Sequence, residues 1–186
     1  MERIVIIGAG QAGAQAIASL RAEGFDGALT MVGEEPFAPY QRPPLSKAYL
    51  SGMMDRERLF LKPESFYRES QCKLLLGISA FEIRRAAKRV KLSDGSSLPY
   101  DKLLLTTGSR VHRCAIPGCD LPSIFYLRSI ADVDAMRAHF AQGVRLAVIG
   151  GGYIGLEVAA VARKLGLEVT VFEALDRVMA RAVSSP

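Results

Sequence analysis

The chain has 186 residues, 49% hydrophobic and 23% charged, with a formal net charge of +5. That composition excludes a disordered or fibrous chain and leaves room for one large or two small packed domains. No apolar run approaches the roughly 18 residues of a membrane span, so a membrane partner is not expected.

Residues 2–7 read as a short β-branched strand ended by Gly8. A helix follows over 11–23, its Ala and Leu spaced to bury one face. "ALTMVG" is the second strand, with Glu34 just beyond it. The next stretch, "EEPFAPYQRPPLSKAYLSG", is rich in proline and aromatics. Pro43 and Pro44 bar a helix until about Leu45, after which a short helix carries Ser46, Lys47 and Tyr49. "PESFYRES" is a second short helix opened by Pro63. "CKLLLG", "AFEIR" and "RVKLSDGSSLPYD" alternate like strands and a hairpin.

The densest basic run, "RRAAKRVK", feeds that hairpin without interleaved aromatics. It reads as a solvated face, and no nucleic-acid partner is expected. "DKLLLTTG" reads as a buried strand ending in glycine. "SIAD", from Ser129, is a capping signal for a helix to about Gln142. A strand over 144–149, a glycine turn, a helix to about Leu165 and a strand over 167–172 complete the pattern.

Cys72, Cys114 and Cys119 are an odd, scattered set, which fits a reducing compartment and a cytoplasmic location. No targeting leader is expected before the first strand. Cys114 and Cys119, in "CAIPGC", are spaced as a redox pair could be. Pro117 and Gly118 lie between them, far past the first glycine turn, and they are read as free thiols in a loop. His112 and His139 are isolated, so no metal site is expected.

One device occurs twice. Strand, glycine turn, helix and strand appear first around Gly8, Gly10 and Gly13, and 142 positions later around Gly150, Gly152 and Gly155. In a dinucleotide-binding turn the first glycine makes the bend and the second admits the pyrophosphate. The third lets the helix pack on its strand. The helix N-terminus then offers free N–H groups to phosphate. Each second strand ends in an acid, Glu34 or Glu173, where a carboxylate accepts hydrogen bonds from a ribose hydroxyl. Glu173 would repel the 2′-phosphate of NADPH, so NADH is expected, although Arg177 lies close by in sequence. Spacing does not say which turn holds a flavin. Two nucleotide sites in one chain point to a relay, one dinucleotide resident and the other visiting to deliver hydride.

"PYQRPPLSKAYLSG", "LLLTTG" and "GGGYIGLEVAA" together resemble the FAD-dependent NADH:ferredoxin reductases. These are reductase components of bacterial oxygenase systems, a group with putidaredoxin, rhodocoxin and aromatic-ring dioxygenase reductases. The similarity runs from Arg3 to about Arg181, and "RPPLSK" is its most specific part. Disulfide-reducing relatives carry a redox cysteine pair in this region; Pro43 to Lys47 stand here instead.

The resemblance implies a resident FAD, NADH as donor and an acidic [2Fe–2S] ferredoxin, or a rubredoxin, as acceptor. By matching position it implies that Ala12 and the first glycine turn lie at the FAD pyrophosphate and that Glu34 holds the adenosine ribose. Arg42 and Lys47 approach the FAD, Lys47 near the isoalloxazine ring. Ala80 contacts the adenine end, Thr107 and Gly108 line the flavin, and Arg128 reaches the cofactor. On the NADH side it implies Gly152, Tyr153, Ile154 and Glu173 as contacts. Glu157 is implied beside Lys47, where nicotinamide stacks on flavin; these two are the catalytic candidates.

The expected fold is α/β, with two Rossmann-like three-layer dinucleotide-binding domains of the FAD/NAD(P)-binding, glutathione-reductase-like kind. Residues 1–108 form the N-terminal part of the FAD-binding domain and 109–186 the start of an NADH-binding domain, the second incomplete. Family members run to roughly twice this length, so a piece of a longer reductase is expected. The resemblance leaves open another acceptor, such as a nitrite reductase centre or a quinone-like molecule. It also leaves open a non-catalytic role like that of the apoptosis-inducing-factor group.

Overall fold

The computed structural model describes residues 1–184. Contacts divide the chain into two compact units, 1–41 with 60–109, and 42–59 with 110–186. The proline-rich segment of 42–59 thus clusters with the second unit although it interrupts the first in sequence.

In the first unit the run "RIVII" becomes β1 (Arg3–Ile7). It is followed by α1 (Gln11–Ala22), β2 (Ala28–Gly33), α2 (Glu64–Glu69) and β3 (Cys72–Leu76). Then come β4 (Ala80–Arg84), β5 (Arg89–Leu92), β6 (Ser97–Pro99) and β7 (Lys102–Leu105). β3, β2, β1 and β7 make a parallel sheet in that order, while β4, β5 and β6 form an antiparallel meander.

β1 shows why its residues are nearly all apolar. Ile4 and Ile6 enter a core with Ile17 of α1 and Tyr67 of α2. Val5 and Ile7 enter another with Val90, Leu92 and Tyr100. A parallel strand covered on both sides needs apolar residues at both parities. In the meander, Glu82 pairs with both Arg84 and Lys91, and Arg89 bonds Ser97, so much of the basic run is engaged within the hairpin.

β7 departs from the expected buried strand. It is the edge of the parallel sheet, and Leu104 and Leu105 are 37% and 57% exposed. The apolar run shows that a strand forms; which of its faces is covered depends on partners remote in sequence. A cavity of about 410 Å³ opens beside it, lined by Ile4, Ala16, Leu20, Leu103 and Leu104.

The second unit contains tight 3₁₀ turns at Pro43–Ser46 and Arg56–Leu59, then α3 (Ile130–Arg137), β8 (Arg145–Ile149), α4 (Tyr153–Lys164) and β9 (Glu168–Phe172). β8 and β9 pair in parallel. The expected helix from Leu45 is instead a turn that starts at Pro43. Proline is tolerated in a first turn, where its missing N–H has no intrahelical partner to lose. α3 opens on the expected capping box of Ser129 and Asp132. It stops well short of Gln142: once Ile130, Val133 and Met136 are buried, His139 and Phe140 bond back three residues to close it.

Candidate functional site

Both glycine turns assign their three glycines the same way. Gly8 has φ of +114°, and a Cβ there would stand 2.1 Å from the Thr106 carbonyl oxygen. A Cβ at Gly13 would stand 2.5 Å from the Gly8 oxygen, whereas one at Gly10 would meet nothing within 4 Å. In the second turn Gly150 has φ of +105°, a Gly155 Cβ would lie 2.0 Å from the Gly150 oxygen, and Gly152 is open. Bend, open approach and close helix packing fall to the first, second and third glycine in each case.

α1 and α4 both begin without a side-chain cap and without an acidic residue in the first turn. Their leading N–H groups and positive dipole ends are therefore available to an anion. Ala12 is exposed on the first turn of α1; Tyr153 and Ile154 are exposed on that of α4. An open second glycine before an uncapped N-terminus fits a pyrophosphate.

In the first unit, Gly8, Glu34, Thr107 and Gly108 follow the C-terminal ends of β1, β2 and β7, which are neighbours in the sheet. That edge is where open α/β sheets take their ligands. Glu34 is exposed, as are Thr107 and Gly108, and Ala80 opens β4 half-buried. Thr106, which the sequence reading passed over, donates its hydroxyl to the Gly8 carbonyl at 2.8 Å and braces the turn. The doubled threonine before Gly108 was its only signal.

In the second unit, Glu173 follows β9 and folds back on the glycine turn. Its Oε2 accepts the Gly151 N–H at 2.8 Å and its Oε1 the Leu175 N–H at 3.0 Å. The bonds from Leu175 and Gly151 hold this carboxyl below the ordinary range. Each carboxylate oxygen has a second lone pair, so the residue keeps acceptor capacity for a hydroxyl. Val178 packs against Gly151, and the Met179 N–H bonds the Gly151 carbonyl at 2.9 Å.

The proline-rich segment carries Lys47 to α4. Lys47 Nζ lies 2.8 Å from Glu157 Oε2, and the Ser46 hydroxyl donates to the same oxygen at 2.5 Å. Partial burial opposes the Glu157 charge, but the bonds from Lys47 and Ser46 and the Lys47 charge outweigh it, leaving the carboxyl below its usual range. Tyr49 donates to Asp134 Oδ1 at 2.6 Å and Arg56 meets Asp134 Oδ2 at 2.7 Å, which pins the segment to α3. Arg42 donates to the Arg128 carbonyl at 2.5 Å. Ser46, Tyr49 and Asp134 carried no site signal in the sequence, because nothing local to each announces its partner.

Half of the Lys47 side chain is exposed, and such a pair contributes only about 0–1 kcal/mol to stability. Its consequence is positional: an ammonium is held on a fixed turn. The three cysteines are free thiols; Cys72 is buried in β3, which pushes its thiol up to about 11. Among the described residues no three His, Cys, Asp or Glu side chains form a metal cluster, and no helix is long and apolar enough to cross a membrane.

The family model described as pyridine nucleotide-disulphide oxidoreductase matches residues 2–186. The chain belongs to that family. Rhodocoxin reductase of Rhodococcus erythropolis is 51% identical over 182 residues, covering 98% of this chain and 43% of that protein. Rubredoxin-NAD(+) reductase of Pseudomonas putida is 42% identical, covering 97% of this chain and 47% of the relative. Putidaredoxin reductase, in the crystal structure of its covalent complex with putidaredoxin, superposes with a TM-score of 0.94 at 39% identity. That match covers 98% of this chain and 45% of that one. The fold is thus the α/β architecture of the ferredoxin reductases, and the chain spans less than half the length of these relatives.

Proposed function

We propose that this chain provides the FAD-binding and NADH-binding turns of an NADH:ferredoxin reductase, the reductase component of an oxygenase system. The first glycine turn takes FAD and the second takes NADH, within domains spanning 1–108 and 109–186. Electrons leave to an acidic [2Fe–2S] ferredoxin. The observation that carries this reading is the likeness to putidaredoxin reductase across 98% of the chain, at 39% identity. Together the bound nucleotides supply hydride acceptance from NADH and release of electrons one at a time.

The chain's own groups have distinct tasks in this reading. Gly10 and Gly152 leave room for the two pyrophosphates, and the N-termini of α1 and α4 attract them. Glu34 and Glu173 accept ribose hydroxyls. Ala12, Ala80, Thr107, Gly108, Arg42 and Arg128 bound the FAD; Tyr153 and Ile154 bound the NADH. Lys47 places positive charge where the reduced flavin gains negative charge, and Glu157 holds Lys47. With Pro43 to Lys47 where disulfide-reducing relatives carry cysteines, the electrons need an acceptor outside the chain. A cytoplasmic location accords with three unpaired thiols.

The test uses the whole protein with NADH under anaerobic conditions. It is expected to be yellow, to bleach on NADH addition, and to reduce a [2Fe–2S] ferredoxin catalytically. Bleaching without ferredoxin reduction would redirect the acceptor to a rubredoxin, which the 42% identity to rubredoxin-NAD(+) reductase keeps in view. Failure to bleach would remove the reading.

A further inference from the structure

Ser46 is 4% exposed, a buried polar side chain between the fully buried Leu45 and the salt-bridging Lys47. A buried hydroxyl costs free energy unless it is bonded. The hydroxyl's bond runs to Glu157 Oε2, 111 positions away, the oxygen that Lys47 also holds. Packing alone would be served by alanine, which lacks only the hydroxyl. Two donors on one oxygen fix the rotation of the carboxylate. Oε1 keeps no protein hydrogen bond among the described residues. Glu157 lies about one turn into α4, the helix whose N-terminus is the seat proposed for the NADH pyrophosphate.

We propose that Ser46 is a positioning residue that, with Lys47, fixes the Glu157 carboxylate through Oε2 and so leaves Oε1 to accept from the nicotinamide nucleotide, the contact with Glu157 itself being one that the family resemblance already implies. The role rests on the NADH-binding reading of the second turn. Ser46 touches no nucleotide itself. It acts by denying Glu157 other rotamers and by keeping it ionised through a charge-assisted bond. Without the hydroxyl, Lys47 alone holds Oε2, and its half-exposed, flexible stem restrains the carboxylate poorly.

The experiment is a double-mutant cycle in the whole, FAD-loaded protein with Ser46→Ala, Glu157→Ala and the pair. NAD+ affinity is read by calorimetry, and the limiting rate of NADH-driven bleaching by stopped flow. Ser46→Ala is expected to weaken NAD+ about threefold to tenfold, less than the full value of a bond to a charged group because the loss reaches the nucleotide only through Glu157. The pair should bind no more weakly than Glu157→Ala alone, since alanine leaves Ser46 nothing to orient. Ser46→Thr, which keeps the hydroxyl, should recover most of the affinity, with melting temperatures reporting any cost of its extra methyl.

Independent effects, with the pair weaker than Glu157→Ala by the full Ser46→Ala factor, would overturn the proposal. So would wild-type affinity in Ser46→Ala. NAD+ binding follows the cycle even if bleaching fails, so loss of the electron-transfer reading shows separately, as a wild type that binds NAD+ but stays yellow under NADH.

Discussion

The two glycine turns share a local geometry but differ in what stands behind them. At Gly8 the chain after β7 closes in: the Thr106 carbonyl occupies the space of a Cβ, its hydroxyl bonds Gly8, and its N–H bonds the Ile7 carbonyl at 2.8 Å. At Gly150 the same space is open, and the turn is tied instead from the other side, through Glu173 and Met179 to Gly151. The comparison separates what a dinucleotide turn requires from what its surroundings add. The positive φ, the open second glycine and the contact of the third are common to both. The bracing differs with the neighbouring strands.

The largest effect should come from breaking the braced turn. Gly8→Ala places a Cβ against backbone at a positive φ and should destabilise the first unit by about 3 kcal/mol or more, read as loss of soluble yellow protein. Gly150→Ala meets only the strained φ and should cost about 1–2 kcal/mol in urea unfolding. Equal losses would erase the distinction between the turns.

Next come the open glycines. Gly10→Val should leave a folded protein that has lost FAD. Glu173→Ala should weaken NADH about tenfold with FAD content unchanged, measured by NADH titration and the flavin absorbance of the purified protein. Equal loss of both cofactors would contradict two separate sites.

The smallest effect sharpens the bracing argument. Asp101, at the start of β7, accepts from the Arg3 backbone and side chain at 2.9 Å. Those bonds lower its carboxyl from 3.8 to about 2. A depressed carboxyl contributes stability above its unfolded value that is lost as pH falls through the folded one. Wild type should therefore lose a small increment of stability between about pH 4 and pH 2 that Asp101→Asn lacks, seen as converging melting temperatures at the acid end.

The β1–α1–β2 and β8–α4–β9 units were legible because their signals are local: apolar runs, glycine spacing and a terminal acid. β7 was legible as a strand and misread as buried, since coverage depends on what lies across the sheet. Pro43 and Pro44 announced a break, but the turn they began needed the tolerance of proline in a first turn. The pairing of Lys47 with Glu157, 110 positions apart, came only from resemblance to a family. Ser46, Tyr49 and Asp134 were invisible because each acts through a partner on another element.

The assignment of different nucleotides to the two turns is tested most directly by anaerobic NADH titration of the whole protein and its Gly152→Val variant. A Cβ at Gly152 meets nothing in the fold, so the variant should stay folded while its side chain fills the space proposed for the second pyrophosphate. The account predicts that both proteins are yellow and that only wild type bleaches. A variant that is colourless, or that bleaches as readily as wild type, would contradict it.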